Sequence, residues 1–121
     1  MLLLSAAVFY ASGVKAGTLC ELNALPAQLQ ATELRTESQQ YAMTYYRSQL
    51  LRYVSGYYSQ IAADLLRGEG EYLHSLHILM GSAGGAGSPC TAAYRQLLLQ
   101  ENSAQAFGLA LWQMRVAPPG H

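Results

Sequence analysis

The chain has 121 residues, enough for one small domain, and carries seven basic and seven acidic side chains. That balance leaves no basic patch to hold phosphates and no polybasic helix face, which argues against nucleic-acid binding and against attachment to a membrane surface. Valine and isoleucine are scarce, Ala, Leu, Gln, Glu and Arg dominate, and no hairpin turn or alternating run occurs. The composition predicts an all-α fold, a small bundle of three to four helices.

Met1 to Tyr10 is almost wholly apolar, and Ala11 to Gly17 is rich in small residues. An apolar core followed by small side chains is the shape of a secretory signal, and Val14-Lys15-Ala16 places cleavage after Ala16. Residues 1–16 are therefore read as a signal peptide and residues 17–116 as a single helical domain. No Lys or Arg precedes the apolar core, so the amino terminus supplies its charge. The competing reading, a membrane anchor, needs roughly 20 apolar residues, and only about 13 apolar or small ones are available. Lipid attachment at Cys20 fits poorly because Leu19 stands where a small residue is required. Loss of residues 1–16 removes Lys15, the only lysine, and leaves six arginines against seven acids, a net charge of −1. No stable membrane insertion is expected after cleavage.

Cys20 and Cys90 are the two cysteines of the chain. In an oxidising compartment an even pair reads as one disulfide, against the alternative of two unrelated thiols. Closing a loop of about 70 residues stabilises a fold by about 4 kcal/mol in the chain-entropy model.

Leu22 to Gln30 is weakly helical, and Thr32 to Ser38 is polar and connecting. The first strong helix is predicted from about Ser38 to Arg67. Its apolar stripe is Met43, Tyr46, Leu50, Val54, Tyr57, Ile61 and Leu65, weakened in the middle by Gly56. The stripe continues in register through Gly68, Tyr72, Leu76 and Leu79, but one helix to Met80 would be about 64 Å long, too long for a compact domain of this size. Arg67 and Gly68 suit a helix end, and Glu69 and Glu71 suit the first turn of the next helix, so a break is predicted at residues 67–70. Gly68, Glu69, Gly70 and Glu71 are accordingly assigned as a structural motif. Gly81 ends the second helix, and residues 81–89 form a glycine-rich linker. Ser88 reads as an N-cap with Pro89 as the first helical residue. The third helix carries Tyr94 and Leu97 to Leu99 and is allowed to continue past Asn102-Ser103 to Met114. Residues 117–121 form a tail.

Glu71, His74 and His77 recur every third residue, and Glu-x-x-His is a ligand pattern of di-metal helical bundles. Those sites need the motif twice with further carboxylates. Asp64 and Glu69 could join only if the chain folds back, so the expectation is no metal, with Glu71, His74 and His77 as the alternative ligand set. In the plainer reading all three face solvent. Seven tyrosines lie between Tyr41 and Tyr72: Tyr41, Tyr45, Tyr46, Tyr53, Tyr57, Tyr58 and Tyr72. Tyrosine combines apolar area with a polar tip, so they either cover the wet edges of a small core or form a partner-binding face, with the core reading preferred. No Gly-x-Ser-x-Gly elbow, phosphate loop, dinucleotide fingerprint or Cys-x-x-Cys is present, and Ser75 beside His74 is adjacency rather than a triad. No catalytic residue and no cofactor is assigned.

The run from Tyr57 to Leu76 (YYSQIAADLLRGEGEYLHSL) resembles the core of a bacterial family of small exported, periplasmic proteins, a domain of unknown function. Its members combine a signal peptide, a cysteine near the mature N-terminus and an (A/R)-G-(E/Q)-G-E-x-L motif in a helical region. Arg67 to Leu73 matches that motif, and Leu79-Met80-Gly81 matches the helix end that follows. The glycine-serine linker and the two histidines, His74 and His77, depart from the pattern. The resemblance implies an exported helical protein and supplies no catalytic residues. The expected function is a non-enzymatic interaction or structural protein of the cell envelope, with a protein partner or a second copy of itself. The alternatives are metal binding by Glu71, His74 and His77, or small-molecule binding in a tyrosine-lined groove.

Overall fold

A computed structural model describes residues 20–23, 37–85 and 87–117. The signal segment expected at residues 1–16, the weak helix expected to Gln30 beyond Asn23, and the tail expected beyond Ala117 lie outside the described residues. The described residues form five α-helices: α1 (Glu37–Gly56), α2 (Tyr58–Arg67), α3 (Glu71–Met80), α4 (Pro89–Gln100) and α5 (Ala104–Val116). The protein is all-α, with no strand among the described residues.

Two joints raise the helix number above the expected three to four. The predicted helix from Ser38 to Arg67 bends at Tyr57, whose φ of −126° and ψ of 28° leave the helical range. Hydrogen bonds from Tyr57 N to Tyr53 O and from Ile61 N to Tyr57 O still run across the joint, so it is a bend rather than a gap. Gly56, a poor helix former, sits immediately before it. The second joint is Glu101 to Ser103. Ser103 adopts extended backbone, and its hydroxyl accepts from Ala106 N at 3.1 Å, an N-cap that starts α5 anew. A serine here offers the backbone an alternative to continuing the helix.

The expected break at residues 67–70 is present, as are the glycine turn at Gly81 and the start of α4 at Pro89. The Ser88 hydroxyl accepts from Cys90 N at 3.3 Å, which satisfies one of the orphan donors of α4.

Each helix contributes to one core. Leu50 and Val54 of α1, Ile61 and Leu65 of α2, Leu73, Leu76 and Met80 of α3, Tyr94 and Leu98 of α4, and Phe107 and Leu111 of α5 form a single buried cluster. The 3-and-4 spacing of the predicted stripe supplies the α1 and α2 members directly. Helix α1 lies along α5, α2 packs on α3 and α4, and α4 packs on α5.

The N-terminal residues 20–23 are strapped to this bundle. Cys20 and Cys90 form a disulfide with Cα atoms 4.5 Å apart. Asn23 N donates to Gly81 O at 2.7 Å, and Arg115 Nη1 donates to Asn23 O at 2.7 Å. One strap thus joins the end of α3, the start of α4 and the end of α5. No helix among the described residues is long and apolar enough to cross a membrane.

Candidate functional site

Three features of the molecule concentrate polar or aromatic chemistry, and the first is the glycine-rich motif. Gly68 closes α2 in the left-handed conformation, with φ of 90°, and its N–H donates to Asp64 O at 2.7 Å. Arg95 of α4 donates from Nε to Leu65 O at 2.8 Å, which satisfies another carbonyl at the end of α2. Gly70 takes the N-cap position of α3 with φ of 143° and ψ of 166°, a region reserved for glycine.

The cap of α3 comes from a residue that the periodicity leaves unassigned. The Asp64 carboxylate is buried and folds over the N-terminus of α3, accepting from Tyr72 N at 2.9 Å and Leu73 N at 3.1 Å. Its other oxygen pairs with Arg67. A negative group on the first free N–H groups of a helix is doubly favoured, by hydrogen bonding and by the helix dipole. Glu69 and Glu71, expected as the capping acids, are both exposed, and the side-chain bonds belong to Asp64 instead. The chain does fold back so that Asp64 meets the motif, but as a cap rather than a ligand.

The second feature is a buried polar cluster around His77. Of the proposed ligand set, Glu71 and His74 face solvent while His77 is 3 % exposed and points inward. The three do not converge, and among the described residues no group of three His, Cys, Asp or Glu side chains could hold a metal ion. His77 Nδ1 lies 2.7 Å from Ser82 Oγ, and Nε2 lies 3.0 Å from Thr91 Oγ1. Tyr94 donates its hydroxyl to Ser82 Oγ at 2.7 Å, and its ring centroid is 5.5 Å from that of His77. Ser82 Oγ accepts from Tyr94, and its own proton has two acceptors, His77 Nδ1 and the His77 carbonyl oxygen at 3.4 Å, so the ring tautomer follows from which of them it serves. Burial pushes the Tyr94 phenol up to about 12, only partly opposed by the Ser82 bond and the Arg115 charge. Burial, with the nearby His74 charge adding to it, holds His77 below its ordinary value.

Because the folded protein favours neutral His77, the unfolded chain binds more protons once the pH falls below the ordinary histidine value of 6.5. The His77 contribution is therefore complete above that pH and is lost progressively below it. The urea midpoint should fall between pH 7.5 and 5.5, by the equivalent of up to about 1.4 kcal/mol per pH unit below the unfolded value. His77→Gln should flatten that slope. A midpoint equally pH-dependent in both proteins would show that another group governs it.

The tyrosines form the third feature, and they separate into two sets. Tyr53, Tyr57 and Tyr72 stack beside the bend, with ring centroids 5.2 Å and 5.3 Å apart, and Tyr53 donates to Tyr72 O at 3.0 Å. Tyr58 meets Phe107 of α5 edge-on. These partly serve the core edge, as expected. Tyr41, Tyr45 and Tyr46 do not: they are 75 %, 53 % and 41 % exposed along the first half of α1. The preferred core reading fails for Tyr41 and Tyr45 because the buried residues of α1 are Leu50 and Val54, which turns residues 41 and 45 to the opposite side of the helix, whereas Tyr46 shares the Leu50 side and is exposed because the first half of α1 buries no residue. An open groove of about 290 Å³ lies elsewhere, between α4 and α5. It is lined by Ala93, Leu97, Ala110 and Met114 with Gln96 and Gln100, so neither a tyrosine nor a charged group lines it.

Sequence reasoning missed Asp64 as a cap, and it missed Ser82 and Thr91. A signal for Asp64 exists: it lies three residues after Ile61 and one before Leu65, so it sits on the buried stripe. Ser82 and Thr91 carry no such signal, since their meeting with His77 depends on how the glycine-rich loop closes. No family model, no curated protein and no solved structure matches the chain. The likeness to the family of small exported proteins therefore rests on the quoted motif.

Proposed function

We propose that this is an exported, non-enzymatic protein of the cell envelope that acts by binding protein through the outer face of α1. The observation that carries this reading is the exposure of Tyr41 and Tyr45, two large rings on a helix that is anchored in the core from the opposite side by Leu50 and Val54. Tyrosine is enriched at interfaces because it offers large contact area at low conformational cost. The groups that could act as nucleophile or base support the non-enzymatic part. His77, Ser82, Thr91 and Tyr94 bond to one another, and His77, Thr91 and Tyr94 are buried. The disulfide is compatible with a periplasmic location, because such bonds persist in oxidising compartments.

Site-specific photo-crosslinking in the native host tests the reading. A benzophenone amino acid in place of Tyr41 should give a discrete adduct, whereas the same group in place of Leu99, comparably exposed on α4, should give none. No adduct at position 41, or equal adducts at both positions, would refute an interaction face on α1.

A further inference from the structure

The outer face of α1 is self-complementary. At 3.6 residues per turn, Glu37, Tyr41, Tyr45, Ser48 and Arg52 fall on one stripe, directly opposite Leu50 and Val54. Ser48 is partly buried and the other four are exposed. The stripe has a two-fold pattern about a point between Thr44 and Tyr45. Glu37 and Arg52 stand at equal distances from that point, about 11 Å along the axis. Tyr41 and Ser48 are likewise equidistant, as are Tyr45 and Thr44. We infer that α1 docks antiparallel against α1 of a second copy of this chain.

In that arrangement each Glu37 meets Arg52 of the other copy, twice by symmetry. Both side chains are exposed, and neither takes part in the ion pair between Arg67 and Asp64. Each large Tyr41 ring lies over the small Ser48 of the other copy, and Tyr45 crosses the axis beside Thr44. Large residues opposite small ones let helix axes approach closely. Tyr45 is held for the contact, since Gln49 Nε2 donates to its hydroxyl at 3.0 Å and its ring stands edge-on to Tyr46 at 6.5 Å. A fixed ring loses less freedom on binding. The charges set direction: a parallel pairing would place Glu37 on Glu37 and Arg52 on Arg52, so like charges exclude it. One helix face is a small interface, so the association is of the weak, concentration-dependent kind.

This inference rests on the reading of α1 as an interaction face and names the partner. Sedimentation velocity over two decades of protein concentration tests it, with circular dichroism to confirm that each variant stays helical. The native protein should move from monomer to dimer. Glu37→Arg and Arg52→Glu should each weaken dimerisation at least about tenfold, because each places like charges opposite each other twice. An equimolar mixture of the two variants should form a heterodimer within about threefold of the native affinity. In that heterodimer one copy carries positive charge at both positions 37 and 52, the other carries negative charge at both, and the two opposed pairs are attractive again. A native protein that stays monomeric overturns the inference, as does a mixture no tighter than either variant alone. A monomer whose position 41 still crosslinks to a different protein removes the second copy and keeps the interaction face. A monomer with no adduct at position 41 removes both.

Discussion

Gly70→Ala should destabilise the protein by on the order of 4 kcal/mol, far more than Gly68→Ala in the same motif. The two glycines differ in what surrounds them. At Gly68 an added Cβ meets only Arg95 Nη2 at 3.7 Å, an ordinary contact, so the cost is that of a left-handed residue, about 1 kcal/mol. At Gly70 the added carbon would fall inside the Asp64 carboxylate, on its carbon and both oxygens, and φ of 143° adds strain of its own. The carboxylate must leave, and with it go the bonds to Tyr72 N and Leu73 N that cap α3. Chemical denaturation measures the difference. The mechanism also predicts strong coupling: in Asp64→Ala the obstructing group is already gone, so adding Gly70→Ala should cost much less than it does in the native protein. Equal costs for the two glycine substitutions, or strict additivity with Asp64→Ala, would mean that the motif is held by something other than this cap.

How legible this arrangement is in the sequence depends on the range of the interaction. Helix ends are local, and they are readable: Arg67-Gly68, Met80-Gly81 and Ser88-Pro89 each carry their own stop or start chemistry, and each marks a boundary in the structure. The buried stripe through Leu50, Val54, Ile61 and Leu65 is readable for the same reason, since periodicity fixes which face turns inward. Asp64 shows the limit. Its position on the inward face is visible, but its partners are backbone groups eight and nine residues away, reached only after the chain reverses at Gly68. His77 is harder still. It occupies a place adjoining the buried stripe and also fits a polar surface pattern with Glu71 and His74. The decision between the two is made by hydroxyls on the loop and on α4. Tyrosine is ambiguous by nature, and only the placement of α5 decides that Tyr41 and Tyr45 point outward. Composition placed the fold class, whereas the candidate sites depend on contacts that no single helix contains.

Reducing the Cys20–Cys90 bond should lower the melting temperature by about 15–30 °C, corresponding to about 4 kcal/mol. The bond closes a loop spanning 70 residues, so it removes much of the freedom of the unfolded chain. In the folded state it anchors a strap that Leu22 packs against the core and that backbone hydrogen bonds hold from the other side. Asn23 N on Gly81 O, Asn23 O on Arg115 and the bridge between Leu22 and Ser82 hold residues 20–23 from the far side. Without the covalent anchor these bonds must order residues 20–23 by themselves, and fixing each backbone residue costs about 1–2 kcal/mol. The strap should therefore detach even at temperatures where the helices persist. Thermal melts with and without reductant give the first number, and hydrogen exchange at Asn23, whose N–H donates to Gly81 O, gives the second in the reduced protein. Cys20→Ser with Cys90→Ser should reproduce both effects without reductant. A melting temperature lowered by less than about 5 °C would show that the loop is already restricted in the unfolded chain. Protected exchange at Asn23 after reduction would show that the strap is held by its hydrogen bonds and Arg115 rather than by the disulfide.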